Sequence, residues 1–152
     1  MQDDNPDTLQ TAMAVSTSPG TVVMLMQLAT AIKKRSTEEL LGMKLRQLML
    51  LSHLRAGAPA LQQHLCEALW LDPNNCVLLL NELEDMGYVE RRRDTADRRR
   101  HVVVLTDEGR AALERAEQAQ ESLGEEMFAA LSDEERVTLR ALLGRVLEPA
   151  VR

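Results

Sequence analysis

The chain has 152 residues, of which 45% are hydrophobic and only 2% aromatic, and it carries a net charge of −6. That length suits one domain with a full core or two small lobes. So few aromatics mean a core of Leu, Ala, Val and Met, which favours helix packing. Met1 to Asp7 is polar and acidic, so no signal peptide is expected, and no apolar run is long enough to span a bilayer. Cys66 and Cys76 have no metal-ligand spacing and fall in apolar helical settings. They read as buried small hydrophobes rather than a redox switch, which points to a reducing, cytoplasmic compartment.

Residues 1–18 are polar and read as a loose arm. Ser18-Pro19 opens a helix that runs to about Leu41. Its first half, with Val22, Val23, Leu25, Met26 and Leu28, is apolar on nearly every side, which fits a subunit interface. Gly42 breaks the pattern, and Leu45 to Leu54 forms a second helix. Pro59 starts a short third helix, Ala60 to Leu69, with Leu61, Leu65 and Leu69 on one face. Trp70-Leu71-Asp72 turns the chain into the next helix. There Asp72 is a suitable N-cap, and Pro73 sits where its missing N–H costs nothing. Leu79, Leu80, Leu83 and Met86 recur at helical spacing until Gly87 stops the helix. Two helices joined by a short turn, the second presenting Asn74, Asn75 and Leu78, make a helix-turn-helix.

Then the period changes. Tyr88 to Arg91 and His101 to Leu105 are rich in β-branched residues and read as two strands of a hairpin. Between the strands, residues 91–100 hold six arginines and two aspartates, a local charge of +4 that leaves −10 on the rest of the chain. A charge run alone is usually a solvated turn. Placed directly after a helix suited to a groove, this one is expected to meet duplex DNA. Arg gains there from counterion release and forked hydrogen bonds to phosphate.

Thr106 caps a long helix that runs to about Leu131. Ser132 and Glu135 form a capping box for the last helix, which Pro149 ends. Both have apolar stripes that a lone lobe would leave uncovered. His53, His64 and His101 lack metal-ligand spacing. No nucleophile–base constellation or phosphate-cradling glycine loop is present, so neither an enzyme nor a cofactor is expected. Met24, Met26, Met43 and Met49 gather near the junction of the first two helices. Core packing accounts for them. The functional alternative is a pliable apolar pocket between lobes, lined by Met24 and Met49, with Lys33 or His53 offering polar contact.

Leu83-Glu84-Asp85-Met86-Gly87-Tyr88-Val89-Glu90-Arg91 leads into the hairpin, and Asp97-Arg98-Arg99 lies within it. Leu105-Thr106-Asp107-Glu108-Gly109-Arg110 opens the long helix, and Leu131-Ser132-Asp133-Glu134-Glu135 the last. In this order and spacing the chain resembles the MarR family of bacterial transcriptional regulators, from about Leu45 to Leu147. The resemblance implies a mainly α fold with a small β-hairpin wing: a winged helix-turn-helix with a helical dimerisation lobe. Residues 19–41 and 106–152 would form the dimerisation helices and 42–105 the DNA-binding lobe. It further implies a homodimer, a palindromic operator, and response to a small aromatic or anionic effector.

Asp97, Arg98 and Arg99 match the family's wing motif, with Asp97 bracing an arginine and another arginine entering a minor groove. Arg91, Arg92, Arg93 and Arg100 are expected to clamp phosphates. One of Asn74 and Asn75 is expected to read a base, and Gln62 and Gln63 to contact backbone. Two positions depart from the family. Leu78 replaces a residue often polar or basic, and Trp70 stands where glycine is common. The rival readings are a helical protein-interaction module on the same fold and a non-specific DNA binder.

Overall fold

The computed structural model describes residues 19–148. The N-terminal arm and the Pro149 stop lie outside them. The chain divides into two compact units between Arg35 and Ser36. In the first, helix α1 spans Thr21–Arg35 and ends on Lys33, Lys34 and Arg35, cations suited to the negative end of a helix dipole. The single helix expected to reach Leu41 does not run through. Thr37 adopts an extended conformation, and its hydroxyl accepts the Leu40 N–H, starting a separate short helix α2, Glu38–Leu41. A side chain that caps a helix competes with the backbone for helical hydrogen bonds, and here it breaks the pattern.

The second unit continues with α3 (Leu45–His53), β1 (Ala60–Leu61), α4 (Gln62–Ala68), α5 (Pro73–Asp85), β2 (Val89–Arg93), β3 (His101–Leu105), α6 (Asp107–Met127) and α7 (Asp133–Leu147). The hairpin is part of a three-stranded antiparallel sheet in the order β1-β3-β2. Val89 pairs with Leu105 and Arg93 with His101, while Ala60 and Leu61 pair with Val103 and Val102. Ala60 and Leu61 were expected to open the third helix. They are extended because β3 offers them a free edge, with partners that lie 43 and 41 residues away and are invisible to local periodicity.

The core is aliphatic. Met43, Leu50 and Leu51 from the α3 region, Leu79, Leu80 and Leu83 from α5, Val103 from β3 and Leu113 from α6 are fully buried. Val103 and Leu105 alternate with more exposed neighbours, as a strand with one buried face requires. On α6 the buried residues Gly109, Ala112, Leu113, Ala116 and Leu123 fall on one helical face. Gly109 is fixed by space: a Cβ there would lie 2.0 Å from the Tyr88 carbonyl oxygen. Thr106 joins the same corner, donating its hydroxyl to the Gly87 carbonyl and capping the Gly109 N–H. Helix α7 begins with the expected Ser132–Glu135 capping box, and none of its residues is buried.

The two helices of the helix-turn-helix end alike. After α5, the Tyr88 N–H donates to the Leu83 carbonyl and the Gly87 N–H to Glu84, with Gly87 at φ 73°. After α4, the Leu71 N–H donates to Cys66 and the Trp70 N–H to Glu67, with Trp70 at φ 54°. Both are Schellman endings, which place one residue in the left-handed region. Gly87 does so without strain, whereas Trp70 bears the steric penalty of a Cβ.

Candidate nucleic-acid interface

Asp72 accepts the N–H groups of Asn74 and Asn75 and sets the start of α5. These bonds, led by the one from Asn75, hold its carboxyl below the ordinary carboxylate range. The Asn75 side-chain amide also donates to Asp72. The two asparagines therefore differ. Asn75 belongs to the cap, while the exposed Asn74 side chain makes no hydrogen bond among the described residues. Leu78, one turn on, is 59% exposed. Asn74 and Leu78 thus share the outward face of α5.

The wing arginines also divide. Arg91 is part-buried, and its guanidinium donates to Glu84 and Asn81 of α5 while its backbone N–H donates to Glu84. These bonds lower the Glu84 pKa, the Arg91 side chain being the main cause. Arg91 was expected to clamp phosphate. In this structure it fastens the root of the wing to α5. Arg92 pairs with Glu90 on its own strand. Arg93, Arg98, Arg99 and Arg100 are exposed and form no ion pair among the described residues. Asp97 braces backbone rather than a guanidinium: its carboxylate accepts the Arg99 N–H, and its carbonyl accepts the Arg100 N–H. Asp94 accepts the Ala96 N–H in the same way. Two aspartate turns therefore shape the tip and spread its arginines.

Between α4, α5 and the wing lies a groove of about 560 Å³. Gln62, Gln63, Val77, Arg99, Arg100 and His101 line it. Gln63 also donates to Glu67. The structure thus brings Gln62 and Gln63, remote in sequence, beside the wing arginines. His101 had not been read as part of this surface. Its signal was its place as the first residue of β3, beside Arg100. Glu84 and Glu82 were also missed, since acidic residues on the polar face of an amphipathic helix look like solvated charges. Glu82 accepts bonds from Lys44 (3.1 Å), Arg46 (3.0 Å) and Gln47 (2.9 Å) and ties α5 to α3. Its pKa is lowered, chiefly by Lys44.

The two cysteines are not separate buried hydrophobes. Cys66 of α4 and Cys76 of α5 form a disulfide across the turn. The third-helix and recognition-helix cysteines meet only once the two helices pack, and the bond removes the premise on which cysteine usage pointed to a reducing compartment.

A second cavity, of about 590 Å³, lies between α3, α6 and α7. Leu48, Phe128, Leu139 and Leu143 supply apolar walls, and Arg136 and Arg140 supply positive charge. Arg55, also lining it, pairs with Glu117. Met49 and His53, expected at an effector pocket, lie further round α3, both exposed, with His53 Nδ1 2.9 Å from the Met49 carbonyl. Met24 and Lys33 are on α1 in the other unit, both exposed. Among the described residues no group of His, Cys, Asp and Glu is placed to hold a metal, and no helix is long and apolar enough to cross a membrane.

A capped recognition helix, a preceding helix at a short turn and a three-stranded sheet with a basic tip define a winged helix-turn-helix protein. A MarR family model matches residues 41–100. A transcriptional regulatory protein assigned to the hcr operon of Thauera aromatica is 39% identical over 92 residues, 60% of this chain and 55% of that one. The chain spans about half the length of the curated relatives it matches. Wild-type apo MarR from E. coli superposes with a TM-score of 0.70 at 28% identity, over 86% of this chain and 99% of that one. CouR from Rhodococcus jostii RHA1, solved with p-coumaroyl-CoA, shares the fold: TM-score 0.72, 22% identity, over 83% of this chain and 90% of that one. Over its winged helix-turn-helix region this chain is similar to MarR family regulators.

Proposed function

We propose that the protein is a DNA-binding transcriptional regulator, acting as a homodimeric repressor on a palindromic operator. The observation that carries this reading is the division of the wing. Arg91 is spent on fixing the wing to α5, the helix that carries Asn74, and this leaves Arg93, Arg98, Arg99 and Arg100 exposed on the wing. A solvated turn has no need of such fixing. In this reading Asn74 reads a base edge in the major groove, Leu78 touches a thymine methyl, and Arg98 or Arg99 enters the adjacent minor groove. Exposed apolar residues on α1 (Val22, Val23, Met26) and on α7 (Val137, Val146, Leu147) support pairing with a second copy.

The α3–α6–α7 cavity takes a small aromatic or anionic effector, its apolar walls holding a ring and Arg136 or Arg140 an anionic group. Binding there changes the spacing of the two recognition helices. Half-sites stand about 34–36 Å apart, so a shift of a few ångströms releases one of them. Fluorescence anisotropy tests the reading, using DNA upstream of the protein's own gene, a scrambled duplex of equal length and a salt series. Tighter binding to the upstream duplex with a steep salt dependence is expected. Equal binding to both duplexes would leave a non-specific binder, and no salt-dependent binding would favour a protein partner.

A further inference from the structure

We propose that Cys66–Cys76 is a reversible thiol–disulfide site that sets the DNA affinity of the helix-turn-helix, with the oxidised form binding more tightly. The inference rests on the DNA-binding reading above. The bond joins the two helices of the reading head itself, across a sequence separation of 10. Cys76 is fully buried, while Cys66 is partly exposed and lines the groove shared with Gln62, Gln63, Arg99 and Arg100. One sulfur is thus reachable from outside and the other is not.

The chemistry follows from that asymmetry. A thiolate of a dithiol reductant attacks Cys66 Sγ from the groove. The S–S bond breaks, and Cys76 leaves with the electron pair and then takes a proton. Cys76 is the fourth residue of α5, where the helix N-terminus favours a leaving thiolate. The reductant's second thiol attacks its own sulfur in the mixed disulfide and frees Cys66. The net change is one protein disulfide and one dithiol going to two protein thiols and one reductant disulfide. A hydroperoxide closes the bond again: one thiol is oxidised to a sulfenic acid with release of the alcohol, and the second thiol displaces water from it.

The direction of the effect comes from the turn between the two cysteines. It contains Trp70 in the left-handed region, a conformation a non-glycine residue keeps only when its surroundings hold it there. The disulfide closes a loop around this turn and fixes α4 against α5. Gln62 and Gln63 on one helix and Asn74 on the other then present a single preset surface. With the bond open, the turn relaxes, and DNA binding must order the two helices afresh. Preorganisation of this kind raises affinity by lowering the ordering penalty.

Trp70 is the only tryptophan in the chain. It lies inside the loop that the bond closes and so reports on it without DNA. The full-length protein is prepared oxidised or treated with dithiothreitol, and free thiols are counted by iodoacetamide labelling and intact mass. Acrylamide quenching of Trp70 and far-ultraviolet circular dichroism are read on the same samples, followed by anisotropy with the upstream duplex. No label on the oxidised form, two labels on the reduced form and a change in Trp70 quenching with helix content retained are expected. The reduced form is expected to bind at least about fivefold more weakly, the lower end of coupled binding equilibria. The double variant Cys66→Ser, Cys76→Ser should match the reduced form with or without dithiothreitol. Two labels on the peroxide-treated protein overturn the site. Equal DNA affinity in the two forms overturns the control but leaves DNA binding standing. Failure of both forms to bind any duplex removes the DNA-binding reading and the proposal with it.

Discussion

Trp70 offers the sharpest test of the backbone reasoning, because α4 and α5 end with the same hydrogen bonds around different residues. In an ordinary helical position, alanine is more favourable than glycine by about 0.5–1 kcal/mol, because glycine loses more chain entropy on folding. At a left-handed position, alanine incurs a steric penalty of roughly 1–2 kcal/mol that glycine escapes. Trp70→Gly is therefore expected to be more stable than Trp70→Ala by about 1 kcal/mol, the reverse of the helical order. Comparing these two variants cancels the loss of the ring, which is 78% exposed in the native chain. For a unit of this size the difference is roughly 4 °C in Tm. Gly87→Ala, at φ 73°, should lose a similar amount. The assay is thermal and urea unfolding followed by far-ultraviolet circular dichroism, with the disulfide kept intact. If Trp70→Ala equals or exceeds Trp70→Gly in stability, the left-handed assignment and the strain argued from it are wrong.

Three further outcomes follow from particular contacts. Gly109→Ala should destabilise by about 3 kcal/mol or more, since its Cβ would collide with the Tyr88 carbonyl and Leu105 in a closed corner; wild-type stability in urea unfolding would rule out that packing. Glu84 has a folded pKa below its ordinary 4.5, so its contribution is present above that value and is lost as pH falls through the folded value; Glu84→Gln should flatten the acid limb of a stability–pH curve below about pH 4.5, and an unchanged limb would refute the brace. Arg98→Ala should weaken binding to all duplexes and lower the salt slope by about one, whereas Arg91→Ala should disturb the wing mainly through loss of the Glu84 contact and leave the salt slope near the wild-type value; equal slopes for wild type and Arg98→Ala would remove that residue from the interface.

Much of the architecture is written locally. The 3.6-residue spacing of Leu79, Leu80 and Leu83, the caps at Asp72, Thr106 and Ser132, the stop at Gly87 and the switch to β-branched residues at Val102–Leu105 each act within a turn or two of chain. Such signals mark elements and their order without reference to distant residues. Together with the arginine-rich hairpin they define a winged helix-turn-helix and the face of α5 that points outward.

Tertiary structure decided the roles of chemically identical residues. Arg91 and Arg98 are the same side chain in one basic run, but only Arg91 comes within reach of Glu84 and Asn81 when β2 folds back on α5. Asn74 and Asn75 are adjacent, yet the helix rotation between them hands one to the Asp72 cap and leaves the other outward. Ala60 and Leu61 are extended because β3 arrives from 43 and 41 residues away. Cys66 and Cys76 become a bonded pair because α4 and α5 pack across a turn held at Trp70. Periodicity records which face of an element is apolar. Which partner meets that face is set by the closure of the chain on itself, and no local pattern encodes it.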